Sequence, residues 1–216
     1  MALALFSYLA GSIPFGLLIG WLAGRDVRRD GSHNIGASNV FRLCGWRCGL
    51  ATFFLDFLKG LAPVIWLVPW LGNAMSPPFP GILAAFAAVL GHNFPVWLRF
   101  RGGKGVATSA GGVAGLMPLP FMVAFAAFFA VVAVWRYTSL GSMLASLVLA
   151  LATFFLLPDP LGENLPLFLL TPALSVLIFV RHRHNISRIL AGTENRFPPP
   201  RKNAETDRED GQPGGG

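Results

Sequence analysis

Long apolar runs, separated by short polar segments rich in glycine, dominate this chain. A helix that crosses a bilayer needs about 20 apolar residues. Residues 3–23, 49–71, 80–98, 139–157 and 165–180 fit that description. Residues 106–135 form either one long span or two short ones broken near Pro118 and Pro120. No basic segment precedes the first run, which argues against a signal peptide.

The positions of the cations choose between six and seven spans. Arg25, Arg28, Arg29, Arg42 and Arg47 lie between the first two runs, Arg99, Arg101 and Lys104 follow the third, and Arg181, Arg183 and Arg188 follow the last. Cytoplasmic loops carry the excess of Lys and Arg. Only a break at the prolines puts all three clusters, and Arg136, on one side. The chain is therefore expected to be an all-α integral membrane protein of about seven transmembrane helices. Its N-terminus is expected outside and its C-terminus in the cytoplasm. The span at 106–117 is too short and glycine-rich to face lipid alone and is expected to pack against its neighbours. Residues 1–197 read as one polytopic membrane domain, and 198–216 as a disordered cytoplasmic tail of proline, charge and glycine.

Composition agrees: only 12% of the 216 residues are charged, and the net charge is +7. A basic, apolar chain suits anionic lipid headgroups or anionic substrates. Nucleic acid is excluded as a partner because no polar stretch is long enough for a binding fold. Cys44 and Cys48 form a single C-x-x-x-C with no second pair of ligands, a poor zinc or redox signature.

Three polar segments share the basic face. Gly31 to Arg42 (Gly-Ser-His-Asn-Ile-Gly-Ala-Ser-Asn-Val-Phe-Arg) is either a turn-rich connector or a loop that brings Ser32, Asn34 and backbone N–H groups to an anion. Gly91-His92-Asn93-Phe94-Pro95 is followed by Arg101-Gly102-Gly103-Lys104-Gly105 just before a helix start. Exposed N–H groups and a helix dipole there suit a phosphate, with Lys104 adding charge; flexible glycines beside headgroup cations are the plainer alternative. The Walker pattern G-x-x-x-x-G-K-[ST] is absent, which disfavours a nucleoside triphosphate. Arg181-His182-Arg183-His184-Asn185-Ile186-Ser187-Arg188, with Gly192 and Glu194, exceeds what a basic stop-transfer flank needs. Its histidines lack metal-pair spacing, so no metal is assigned. Asp56 and Lys59 lie three apart inside a span, where ionisable groups are costly. They form either a structural ion pair or a support behind the site.

Together these segments resemble the bacterial acyl-phosphate:glycerol-3-phosphate acyltransferase (PlsY) family over about residues 1–197. The likeness rests on G-S-x-N-x-G-A-[ST]-N-x-x-R from Gly31 to Arg42 and on G-H-x-F-P…G-G-K-G-x-A-T from Gly91 to Thr108. R-H-x-x-N-I-x-R-x-x-x-G-x-E from Arg181 to Glu194, Asp56 to Gly60 and Tyr137 to Leu140 also match. His33 stands where glycine or lysine is commoner, and Ser38 where threonine is. The resemblance implies transfer of an acyl group from acyl phosphate to the 1-hydroxyl of sn-glycerol 3-phosphate, giving lysophosphatidate and phosphate, at the start of phospholipid synthesis. It implies a site facing the cytoplasm across the bacterial inner membrane, no cofactor, and a separate donor-producing enzyme as partner.

In that reading Gly102, Gly103, Lys104 and Gly105 bind the acyl phosphate with Ser32 and Asn34. Arg42, Lys104, Ser139, His182 and Asn185 grip glycerol 3-phosphate, and Ser32, Arg42, His182 and Asn185 are catalytic. Asp56, Lys59 and Glu194 are structural. The base is either His182 or a substrate phosphate oxygen. A mixed anhydride is already activated, so no nucleophilic triad is needed, and the H-x-x-x-x-D signature of acyl-CoA-dependent acyltransferases is absent. The rival readings are a transporter of an organic phosphate, which predicts polar outer halves and matching half-repeats, and a small lipid-binding protein.

Overall fold

The computed structural model describes residues 1–72 and 74–197; the expected disordered tail lies outside the described residues. Those residues form helices α1 (Ala2–Ser12), α2 (Phe15–Leu22), α3 (Ala37–Ala62), α4 (Val68–Leu71), α5 (Phe79–Asn93), α6 (Val106–Leu116), α7 (Pro118–Trp135), α8 (Thr138–Leu156), α9 (Leu165–Arg181) and α10 (Arg183–Leu190). A π-helical turn, Pro63–Leu67, joins α3 to α4, so helix runs from Ala37 to Leu71. Among the described residues there is no strand.

Five of these stretches are long and apolar enough to cross a membrane, and α9 with α10, bent by 62°, would make a sixth. The break required at the prolines is present: α6 stops at Leu116 and α7 starts at Pro118. At 1.5 Å per residue, the 11 residues of α6 span only about 16 Å. It is a buried helix. A Cβ on Gly60 would lie 2.0 Å from the Thr108 carbonyl oxygen, and one on Gly111 would lie 1.9 Å from that of Phe57. Only glycine lets the backbones of α3 and α6 approach so closely. The apolar surface that faces outward, including Phe6, Phe54, Phe129, Leu151, Phe155 and Val176, suits lipid contact.

Three expected boundaries move. The first run is two helices, because Pro14 lacks an N–H and drives Ile13 into an extended conformation. The second begins at Ala37 rather than 49, with a kink at Gly45 (φ 86°). The last continues past its bend into the amphipathic α10.

The break at Ile13 strands a carbonyl inside the protein, and the intramembrane charges serve it. Lys59 Nζ donates to the Ile13 oxygen at 2.8 Å and pairs with Asp56 Oδ1 at 2.8 Å. Both side chains are buried, and the Phe15 ring lies 5.7 Å from Nζ. Lys59 thereby ties α3 to the α1–α2 joint. Replacing Lys59 with Met leaves Asp56 buried without its partner, which costs about 3–5 kcal/mol. The expected outcome is a large fall in thermal midpoint in detergent, only partly restored by the double change Asp56→Leu, Lys59→Met, which removes the unpaired charge but still leaves the Ile13 carbonyl without its donor.

Candidate active site

The chain folds so that its three polar segments meet. Arg181, at the end of α9, donates from Nη2 to the carbonyls of Gly102 (2.9 Å) and Gly103 (2.7 Å), and from Nε to Gly103 (3.0 Å). Its guanidinium lies 5.3 Å from the Phe94 ring. The N–H groups of the same two glycines donate to the carbonyls of Asn93 and His92, each at 3.1 Å. Every backbone polar group of Gly102 and Gly103 is thus committed. This corrects the expectation that their N–H groups hold a phosphate.

The free donors lie one step on. Gly105 takes φ 79°, a conformation that costs other residues more than glycine, and launches α6. The first N–H groups of a helix have no partner within it. Lys104, Gly105, Val106 and Ala107 line a polar pocket of about 130 Å³. Gly36, Ala37 and Ser38, at the start of α3, line it too. Two helix N-termini therefore direct their positive ends at one cavity.

Asn39, 1% exposed, builds the wall before α3. Its Nδ2 donates to the carbonyls of Val27 (2.9 Å), Asp30 (3.2 Å) and Asn34 (2.9 Å), while its Oδ1 accepts from Ser32 N–H (2.9 Å) and Arg42 Nη1 (3.3 Å). Ser32, Asn34 and Arg42 thereby reach the pocket together. Asn34 Oδ1 accepts from Gly36 N–H at 2.8 Å, so that oxygen shapes the turn. His33 is exposed at φ 54° with its Nδ1 3.2 Å from the Arg28 oxygen. Its left-handed backbone accounts for glycine being at ease there.

Glu194 organises the opposite wall. Its Oε1 accepts from Ser139 Oγ (2.7 Å) and Asn185 Nδ2 (2.6 Å), and its Oε2 from Arg188 Nε (2.7 Å). Burial opposes its ionisation, but the hydrogen bonds from Asn185, Ser139 and Arg188 prevail and hold the carboxyl below its ordinary range. Lys104 Nζ donates to Asn185 Oδ1. The one hydroxyl proton of Ser139 is spent on Glu194, so in this arrangement Ser139 offers a ligand only lone pairs. Asn185 keeps one N–H.

His182 occupies the turn between α9 and α10, 3% exposed. Its Nδ1 lies 2.8 Å from the Ile178 carbonyl oxygen, which only accepts, so Nδ1 carries the proton and Nε2 the lone pair. Burial, then the Lys104 charge, pushes its pKa down to about 4, leaving a neutral ring. The pocket is lined by Arg42, Lys104, Arg188, His182, Asn185 and Glu194, with Asp56 and His92 also on its wall. Asn39, Arg181 and Arg188 were overlooked as site builders, although each lies inside a quoted motif. Among the described residues no cluster of His, Cys, Asp and Glu could hold a metal.

Beside the polar pocket lies an apolar cavity of about 380 Å³. Its walls come from α3 (Phe41, Trp46, Leu50, Phe53), α7 (Phe121, Phe125, Phe128, Phe129) and residues of α6, α8 and α9. The cavities share Ala37, Ser38, Phe53, Val106, Ala107, Phe128, Thr138 and Ser142, most of them small. A ligand with a phosphate head and a fatty tail fits the pair.

A family model described as glycerol-3-phosphate acyltransferase matches residues 1–192. The chain belongs to that family. A glycerol-3-phosphate acyltransferase from Trichlorobacter lovleyi is 47% identical over 192 residues, which cover 88% of this chain and 94% of the relative. One from Symbiobacterium thermophilum is 46% identical over 197 residues, covering 91% and 94%. The fold is similar to the crystal structure of PlsY (YgiH), an integral membrane glycerol 3-phosphate acyltransferase, in its glycerol 3-phosphate form. That match has a TM-score of 0.80 and 39% identity over 90% of this chain and 94% of the other. Its lysophosphatidic acid form gives 0.78 at the same identity, over 90% and 93%. This acyltransferase is accordingly an integral membrane enzyme of phospholipid biosynthesis.

Burial, then repulsion from Arg188, Arg181 and Arg42, outweighs the pull of Glu194 and lowers the Lys104 pKa to about 8. A depressed lysine loses its charge as pH rises through that value. Affinity for inorganic phosphate, measured by titration calorimetry, is expected to fall about tenfold from pH 7 to pH 9 as the charged fraction drops. Lys104→Arg, charged throughout, is expected to flatten that profile.

Proposed function

We propose that this chain transfers a fatty acyl group from acyl phosphate to the 1-hydroxyl of sn-glycerol 3-phosphate, releasing 1-acyl-sn-glycerol 3-phosphate and phosphate. One observation carries the reading: a cationic pocket fed by two helix N-termini adjoins an apolar cavity, and the two share a border of mostly small residues. The relatives' names supply the acceptor. The cavity pair suits a donor with an apolar tail attached to a phosphate.

The acyl chain lies in the apolar cavity, and its phosphate sits at the first turn of α6 with Lys104 and Ser32. Arg42, Arg188 and the remaining N–H of Asn185 hold glycerol 3-phosphate. The acceptor hydroxyl attacks the acyl carbonyl; a new ester C–O bond forms and the bond between acyl carbon and phosphate oxygen breaks. Cations and N–H dipoles already in place stabilise the charge that develops. The hydroxyl proton ends on the departing phosphate. That phosphate oxygen is bonded to the carbonyl under attack, so the proton has a short path to it, while burial beside Lys104 disfavours a charged His182 ring. His182 Nε2 instead accepts a hydrogen bond from glycerol 3-phosphate and aims it.

In this proposal the chain spans the bacterial inner membrane seven times, N-terminus outside, with the site open to the cytoplasm, where the basic loops gather. A separate enzyme supplies the acyl phosphate. A transporter would need polar groups through the outer half, but the apolar cavity is lined there by Leu149, Leu174 and Phe121.

Purified protein given palmitoyl phosphate and labelled glycerol 3-phosphate should form labelled lysophosphatidate without coenzyme A or carrier protein. Product that appears only with an acyl thioester would overturn the donor assignment. His182→Ala is expected to lower kcat about 100-fold through lost orientation, and unchanged turnover would remove His182 from the machinery. Glu194→Ala, which releases Ser139, Asn185 and Arg188 together, should raise KM for glycerol 3-phosphate more than KM for the donor.

A further inference from the structure

The family model stops at residue 192, yet the chain beyond it runs back over the site. α10 ends in a Schellman turn: Thr193 N–H donates to the Arg188 carbonyl (2.8 Å) and Gly192 N–H to that of Ile189 (3.1 Å), with Gly192 at φ 70°. Residues 193–197 then form a strap. Glu194 fastens its start to the polar pocket. Its end is fastened at the corner between α7 and α8, where Phe197 N–H donates to the Arg136 carbonyl (2.6 Å) and Arg136 Nε donates to the Phe197 carbonyl (3.2 Å). The Arg196 guanidinium lies 6.0 Å from the Tyr137 ring. The Phe197 ring meets that of Phe41 at 4.6 Å, and both rings line the apolar cavity. Phe41 lies one helical turn beyond Ala37 and Ser38, and Phe197 is held to Arg136, two residues before Thr138; Ala37, Ser38 and Thr138 line both cavities, so this ring pair walls the end of the apolar cavity next to the polar pocket.

We propose that Phe197 is a positioning residue for the acyl donor. With Phe41 it walls the first carbons of the acyl chain, and the strap keeps that wall in register with the phosphate pocket held by Glu194. The inference rests on the donor reading given above. Opening this wall exposes the carbons next to the carbonyl to water, and all fatty chains have those carbons. The loss is therefore the same for short and long donors, unlike the effect of reshaping the deep end near Leu149.

The test compares the wild type with Phe197→Ala in the full chain, using lauroyl and palmitoyl phosphate. KM for either donor is expected to rise about tenfold, by the same factor for both, as apolar contact is lost. KM for glycerol 3-phosphate should stay within twofold, and Phe197→Leu should recover most of the loss. Donor KM within twofold of wild type would overturn the proposal, as would a change confined to kcat or to glycerol 3-phosphate. If Phe197→Ala does not fold, Phe41→Ala removes the partner ring and carries the same expectation. If all variants accept only acyl thioesters, the donor reading falls, and the strap is judged by the thioester's KM in the same comparison.

Discussion

The site depends on one guanidinium. Arg181 satisfies the carbonyls of Gly102 and Gly103, residues 78 or more positions away in the chain. A bare buried carbonyl would cost about 1–3 kcal/mol, against roughly 1 kcal/mol that a hydrogen bond contributes net. With those carbonyls held, the glycine pair cannot turn over, and the next peptide groups must face the pocket. The same contact brings His182 and Asn185, on the turn and helix that follow, beside Lys104. The cationic pocket is thus assembled by a guanidinium that does not itself line it.

A second constraint is the carboxylate of Glu194. It collects a hydroxyl, an amide and a guanidinium from three separate places. Without it, Arg42, Lys104 and Arg188 would crowd a half-buried volume with positive charge and no counterion. With it, their field survives while their geometry is fixed. The polar site is preorganised by internal pairs, which fixes its groups before any ligand arrives.

Much of this was legible in the chain because hydropathy and charge report directly on the bilayer. The helices, the break at Pro118 and the meeting of the three basic segments follow from run lengths and the placement of arginines. Pro14 also announced its break, but the apolar run around it obscured the signal. Which glycines would face a phosphate was not legible. Gly102 and Gly103 were expected to bind, yet a distant arginine and two upstream carbonyls consume them, and spacing carries no record of such partners. Ser139 lines the pocket as expected, but the commitment of its hydroxyl proton to Glu194 is a partnership that spacing does not reveal. Phe197 lay beyond the quoted motifs, beside a tail whose composition drew attention away from it.

The seam of small residues between the two cavities has a consequence for traffic. Ala37, Ser38, Val106, Ala107, Thr138 and Ser142 mark the level at which the protein's interior passes from watery to oily. If that level coincides with the edge of the bilayer, an amphiphile already dissolved in the leaflet arrives with its head and tail sorted. Its search is then confined to a plane and a single orientation, and the product can diffuse away in the same sheet without its tail ever meeting water.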